Sequence, residues 1–171
     1  MKESILVLGL TLAFLLSSGS DVLAQTSKEI TEPVTSVWHS ESKVLSLGED
    51  SSFSTFEVFG TLMSDQGKGL FHEATVHSAG SSLNVKGVVK KYILYGCYLL
   101  KNGDRVFIEM TRDEYKLGTP YKGKVTLIGG TGKCAGIQGS WEYTGIILRQ
   151  AAGGEGIGQG YNKHLVKYTL P

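Results

Sequence analysis

Short runs of β-branched and aromatic residues, each ended by a cluster of turn residues, recur along most of this chain. No window of about 11 residues keeps apolar positions at the helical spacing i, i+3, i+4 and i+7 without interruption by glycine. The pattern therefore predicts an all-β chain. Eight runs qualify as strands, and a further run at 34–47 is a possible ninth: 53–63, 70–77, 83–89, 92–100, 105–111, 123–128, 139–148 and 164–170.

The connections between these runs indicate how the strands are arranged. The sharpest is Lys-Asn-Gly-Asp at 101–104, where Asn102 and Gly103 tolerate the positive φ of a tight hairpin. Further turns are predicted at 64–67 and 78–81. Eight short strands joined by tight turns favour a closed, antiparallel, up-and-down β-barrel, because closure removes exposed strand edges. A two-layer sandwich is the alternative.

The first 36 residues differ from the rest of the chain. Lys2, the apolar run 5–16 and a small residue at Ala24 predict a signal peptide over residues 1–24, so we expect an exported protein, either periplasmic or secreted. Residues 25–36 are polar and show no period, which predicts a flexible N-terminal segment. Residues 37–171 are then a single barrel domain, with no integral membrane segment after signal cleavage.

Two cysteines in an exported chain suggest a disulfide. Cys97 lies inside a predicted strand, however, and Cys134 lies in a turn at least two strands further on. A disulfide requires Cα atoms within about 7 Å, which a simple meander does not provide for these positions. A Cys97–Cys134 bridge is therefore disfavoured, and two buried or half-buried thiols are expected.

Composition and spacing argue against several partners and cofactors. The formal net charge is +1, which gives no basic stripe for nucleic acid. The glycine-rich segment before Lys133 lacks the glycine spacing, the hydroxyl residue and the following helix of a phosphate loop. His72 and His77 have opposite parity on one predicted strand, so they do not form a metal-binding pair. We expect no nucleic acid, no cofactor and no metal.

Candidate functional side chains lie within the apolar runs. Glu57 and Glu109 are candidates for general acid or base catalysis, because a carboxylate that faces a cavity has a raised pKa; exposure to solvent is the alternative. Tyr98, Trp141 and Tyr143 are candidates for lining a ligand pocket, since aromatic rings suit flat apolar ligands. Packing in the core or at an interface is the alternative for these three rings.

A glycine-rich hairpin is the most specific motif of the chain. It consists of four residues: Gly129, Gly130, Thr131, Gly132. The motif resembles the Gly-Gly-Thr-Gly hairpin of the allene oxide cyclase and dirigent barrel superfamily, most of all its small exported bacterial members without an assigned function. The resemblance covers roughly residues 53–171 and implies an eight-stranded, calycin-like barrel with a central cavity, often assembled into dimers or trimers. Cys134 stands where the family usually has an aromatic residue, and no catalytic residue is carried over.

Three functions fit these observations. The first is an exported barrel that binds a small apolar or aromatic ligand in its cavity. The second is a barrel enzyme of the cyclase or isomerase type. The third is a structural or interaction protein, because the run 92–100 is apolar at both parities and so needs cover on both faces, either from a subunit interface or from the N-terminal segment.

Overall fold

The computed structural model describes residues 28–149 and 156–171, so the predicted signal peptide and residues 25–27 lie outside the described residues. Within the described residues, no helix has the length and apolar character needed to cross a membrane. A single turn of 3-10 helix spans Gly132–Cys134. The strands are β1 (Ile30–Gly48), β2 (Ser51–Ser64), β3 (Ala74–Val85), β4 (Val88–Leu99), β5 (Arg105–Arg112), β6 (Tyr115–Lys116), β7 (Tyr121–Gly130), β8 (Ser140–Arg149) and β9 (Gly156–Tyr168).

The strands form a closed barrel. Eight of them make the wall, each pairs antiparallel with its sequence neighbour, and β6 adds two residue pairs at the start of β4. The last strand, β9, pairs with β1 from Ile30↔Tyr168 to Ser42↔Gly156, which joins the two sides of the sheet. The predicted up-and-down barrel is confirmed, and the sandwich is excluded by this seam.

The start of β1 corrects the sequence analysis. Residues 30–36 are not a flexible segment, because they belong to a strand that pairs on both sides, with Val34 opposite Ser64 and opposite His164. The alternation of this strand is hard to read because its buried face includes Glu32 and Ser36 as well as valine. Two polar residues on the inner face hide the period of 2 that marks a strand.

The boundary between β3 and β4 is a second correction. Residues 78–81 are not a turn but lie in the middle of β3, and the turn is at Lys86 and Gly87, which have φ of 52° and 75°. The small residues that suggested a turn are required by packing. A Cβ atom at Gly80 would lie 2.6 Å from the Cβ of Leu94 on the neighbouring strand. The predicted runs 70–77 and 83–89 therefore divide between β3 and β4, while 34–47 becomes a wall strand, and the count of eight is unchanged.

The two ends of the barrel are finished differently. At the closed end, where β1 begins and β9 ends, the segment 65–73 folds over the interior and Phe71 is completely buried. The Phe71 ring packs edge-on against Tyr98 and Tyr168, with ring centroids 5.6 and 5.4 Å apart. At the open end, where β1 ends and β9 begins, the connections 49–50 and 86–87 are two residues long and do not reach across the interior.

Candidate functional site

A cavity of about 420 Å³ occupies the open end of the barrel. It lies inside the wall, because the residues that line it share the inward parity of their strands. Its apolar part includes the side chains of Phe56, Val58, Val89, Leu117 and Ile147. Its rim is rich in hydroxyl groups, from the following residues of β1, β2 and β3: Ser40, Ser42, Ser52, Ser54, Ser82.

Arg112 forms the floor of this cavity. It is the last residue of β5 and continues the inward parity of Ile108 and Met110. Its guanidinium carbon lies 3.8 Å from the centroid of the Tyr92 ring and 3.9 Å from that of Tyr121, so two rings enclose the cation. Both distances are well within the range of a cation–π contact.

The cation is fixed by the same rings but has little other compensation. Its Nη1 atom donates a hydrogen bond to the hydroxyl of Tyr115 at 3.2 Å. None of the four ion pairs found among the described residues involves Arg112. Burial raises the pKa of Tyr92, with the Arg112 charge acting in the opposite direction, so this phenol stays neutral beside the cation.

Unpartnered polar atoms line the cavity. The Nε atom of Arg112, the indole nitrogen of Trp38 and the Oδ1 atom of Asn84 are buried without a hydrogen-bond partner. Leaving such atoms unpaired costs about 1–3 kcal/mol each, so native proteins rarely keep them without a reason. Their concentration around one cavity distinguishes the open end from the rest of the interior.

A buried hydrogen-bonded network lies beneath the floor. His164 receives a hydrogen bond at Nδ1 from the indole of Trp141 (3.2 Å), and its Nε2 lies 3.0 Å from the hydroxyl of Ser36. Asn162 connects this pair to the floor, because its amide donates to Ser36 and its carbonyl accepts from the hydroxyl of Tyr121 at 2.6 Å. The network holds Tyr121, and thereby one side of the Arg112 sandwich, in place.

The protonation of His164 excludes a catalytic serine here. An indole nitrogen can only donate, so the Nδ1 atom accepts and the Nε2 atom of the neutral ring carries the proton. That proton points at Ser36, so the imidazole has no free lone pair to remove a proton from the serine. Burial also lowers the pKa of His164 to about 4, which keeps the ring neutral. The network is structural.

The two carboxylates singled out in the sequence lie outside the barrel. Glu57 is exposed and its Oε2 atom lies 3.0 Å from Nε2 of His77 on the outer surface. Glu109 accepts a hydrogen bond at 2.8 Å from the hydroxyl of Tyr95, which is half exposed. The expectation that either faces the cavity is wrong, because both have the parity opposite to the buried positions of their strands.

The three aromatic candidates are core residues. The exposed fractions of Tyr98, Trp141 and Tyr143 are 2%, 5% and 1%, and none of the three lines the open-end cavity. Tyr98 packs under Phe71 at the closed end. Trp141 and Tyr143 surround His164, the latter with its ring stacked at 5.3 Å. The alternative of core packing is therefore the one observed.

The glycine-rich hairpin belongs to the closed end. Its positive φ is concentrated at Gly132 (54°), which leads into the single 3-10 turn. Thr131 accepts the backbone N–H of Arg105 through its hydroxyl at 2.9 Å, and Asp104 accepts the N–H of Lys133 at 3.1 Å. Among the described residues these contacts tie the hairpin to the turn before β5 and give it a structural role.

Both cysteines are free thiols. Cys134 is fully buried under the hairpin, whereas Cys97 is half-buried on the outer face of β4, opposite His77. The same outer face exposes Ile93, Tyr95 and Leu99. Neither the N-terminal strand nor any other described element covers it, because β1 lies within the wall.

Sequence reasoning missed Arg112, although a signal was present. The inward stripe of β5 was recognised from Val106, Ile108 and Met110, and the same period of 2 places Arg112 next on that face. A cation that continues an apolar stripe at a strand end is the pattern of a charged group lining a cavity. The polar neighbours Asp113 and Glu114 made the position look like the start of a solvent-exposed turn.

Comparison with known proteins yields structural neighbours alone. No family model matches the chain, and no curated protein matches it. Among solved structures, the chain is similar to the pterocarpan synthase dirigent protein GePTS1, with a TM-score of 0.47 and 9% identity over 90% of this chain and 99% of that one. It is also similar to the pterocarpan synthase dirigent protein PsPTS1, with a TM-score of 0.44 and 9% identity over 84% of this chain and 96% of that one. Both are dirigent proteins, from the superfamily that the glycine-rich hairpin resembles, and the function of this chain has to be argued from its own residues.

Proposed function

We propose that this protein is an exported binding protein whose open-end cavity holds a small ligand with a flat apolar or aromatic body. The observation that carries the proposal is the combination of Phe56, Tyr92 and Trp38 around a cavity of about 420 Å³ with unpartnered polar atoms at its floor and side. Ligand sites typically join apolar walls of this size to a few fixed polar groups.

Binding accounts for the cavity better than acid–base catalysis does. Among the described residues that line it there is no carboxylate and no imidazole. The tyrosines are poor proton acceptors, since burial raises the pKa of Tyr92 and of Tyr121 above the usual value. A general base must be available near the working pH, and these lining side chains do not provide one.

The outer wall provides a second concave surface of about 980 Å³, between β9, β1, β2, β3 and β4. Its lining consists of exposed residues such as Val37, Thr61 and His77, and it is shallow and open to solvent. It has neither the buried cation nor the cluster of unpartnered polar atoms found inside. The interior cavity is therefore the stronger ligand site.

A neutral aromatic probe tests the proposal. We expect N-phenyl-1-naphthylamine to bind saturably, with a rise in its fluorescence as it enters the cavity. Replacing Ser54 with Trp fills the cavity from β2 and should lower the affinity at least about tenfold, equivalent to about 1.4 kcal/mol. Replacing Thr55 with Trp places the same ring on the outer face of the same strand and should leave the affinity unchanged.

Two further variants test the correction made above. Glu57→Gln and Glu109→Gln alter groups on the outer surface, so probe binding should be unaffected. Absence of saturable binding, or equal weakening by the two Trp variants, would show that the open end is not the binding site.

A further inference from the structure

We infer that the ligand of the open end carries a carboxylate group, which pairs with the guanidinium of Arg112. This inference rests on the binding function proposed above and adds the chemical class of the ligand: a small monocarboxylate with a flat apolar or aromatic body. Its basis is the placement of an arginine without an acidic partner at the floor of a cavity, between two tyrosine rings.

The two rings determine which part of Arg112 is available. Tyr92 and Tyr121 lie within 4 Å of the guanidinium carbon and occupy the region above and below it, so the edge of the fork is left for further contacts. At that edge the five N–H groups of arginine are arranged in a plane. A carboxylate matches this plane with two oxygens, which makes it the natural acceptor.

The donor inventory shows that the fork is under-used. The hydroxyl of Tyr115 accepts from Nη1, whereas Nε has no partner although it is buried. The indole N–H of Trp38, another lining residue, is also unpartnered. Two unused donors around a fixed positive charge call for a group that is rich in acceptors and negatively charged.

The surroundings favour strong pairing. Arg112 is in contact with rings and partly shielded from solvent, and a charge in such a place gains more from an opposite charge than one in bulk water. The contacts with Tyr92, Tyr121 and Tyr115 also fix the side chain before binding, which reduces the entropy lost on complex formation. The cavity above it is bounded by Phe56 and Ile147, which suit the remainder of an amphipathic ligand.

A pair of probes of the same shape separates this inference from the function on which it rests. We would measure the affinities of 2-naphthoate and of 2-naphthamide, which differ in charge but hardly in size, by displacement of N-phenyl-1-naphthylamine at pH 7. In the unmodified protein 2-naphthoate should bind at least about tenfold more tightly than 2-naphthamide. The ratio of the two affinities is the readout.

Variants at the floor assign the preference to its residue. Arg112→Gln should bring the ratio to about one. Arg112→Lys keeps the charge but loses the planar fork, so the ratio should fall between these limits. Lys116→Gln removes one positive charge from the adjacent strand β6, where the side chain is exposed and does not line the cavity, and should leave the ratio unchanged.

Each outcome is decisive. Equal affinities for the two probes in the unmodified protein would overturn the carboxylate inference while the binding function stood. A ratio that survives in Arg112→Gln, or that falls equally in Lys116→Gln, would also overturn it. If neither naphthyl probe nor the neutral amine binds, the proposed function itself fails. The comparison in the unmodified protein requires no variant, so it holds even if a substitution prevents folding.

Discussion

The closed and open ends of this barrel are built from the same eight strands, yet they differ in almost every physical respect. At the closed end Phe71, Cys134 and Ile137 are 0–3% exposed and fill the interior. At the open end the strands enclose a cavity with an arginine that lacks an acidic partner. The difference shows where this molecule gains its stability and where it keeps groups that a packed core would not tolerate.

Connection length explains the difference. The segments 65–73 and 131–139 lie at the closed end and are long enough to place side chains across the interior. The connections 49–50 and 86–87 at the open end are two-residue turns, which only reverse the chain. Binding groups on a rigid wall beside an unfilled interior are the arrangement by which many folds position a ligand site.

The largest expected effect is at the plug of the closed end. Phe71→Ala removes a completely buried ring that contacts Tyr98, Tyr168 and Trp141, and should lower the free energy of unfolding by about 3–5 kcal/mol. Urea denaturation measures this change. The matched variant at the open end is Phe56→Ala, whose ring stacks on Tyr92 but borders the cavity, and which should cost only about 1 kcal/mol. Equal losses would contradict the division of the barrel into a packed and an unpacked end.

The buried layer between the ends should make stability depend on pH. The pKa of His164 is lowered by burial to about 4, whereas in the unfolded chain it is about 6.5. The unfolded chain therefore binds more protons between these values, so stability is complete above pH 6.5 and falls, by up to about 3 kcal/mol, as the pH drops towards 4. The slope should disappear in His164→Gln.

A difference between two unfolding curves isolates this histidine. Burial raises the pKa of Glu32, opposed by the backbone of Phe71, and a raised carboxyl pKa acts in the opposite direction, favouring the folded state at lower pH. Glu32 is present in both proteins, so subtracting the His164→Gln curve from that of the unmodified protein removes its contribution. His77→Gln, on the outer surface, is the control. A pH slope unchanged in His164→Gln would show that the buried network is not what couples protons to folding.

The smallest effect compares two glycines on one face of β9. A Cβ atom at Gly160 would lie 2.5 Å from Cζ2 of Trp38, so Gly160→Ala should cost about 1–3 kcal/mol through overpacking. Gly158, one pleat nearer the open end, has the movable hydroxyl of Ser40 as its nearest neighbour at 2.8 Å. Gly158→Ala should be neutral or slightly stabilising, because alanine loses less entropy on folding. Thermal unfolding of both variants would sharpen the boundary between packed and open regions, and a reversed order would displace it.

The barrel was predictable because the signal for it is repeated in many strands. Alternation in β5 and the turn at Asn102 and Gly103 each indicated the fold without help from the rest. The strand boundaries at Gly80 and Lys86 were not predictable in the same way. Glycine at position 80 is needed to let the neighbouring strand approach, and a lysine with positive φ gives no sign of a turn.

The site was harder to predict than the fold because it depends on parity at single positions. Glu57 and Glu109 were candidates as carboxylates in apolar runs, yet one residue along a strand reverses the face. Ser54 and Thr55 show the same point, since one lines the cavity and the other faces solvent. The enclosure of Arg112 by Tyr92 and Tyr121 joins β4, β5 and β7, and sequence alone does not align three strands in height.

The seam between β1 and β9 also has a kinetic consequence. Ile30 and Tyr168 pair across the whole described chain, so the interior cannot be sealed until the last strand is available. Contacts between such distant segments make folding slow, typically on the millisecond-to-second scale for β proteins with this kind of topology. Newly made chains must therefore spend that interval as an incomplete sheet, and protection during this time, more than the final stability of the barrel, sets how much folded protein a cell obtains.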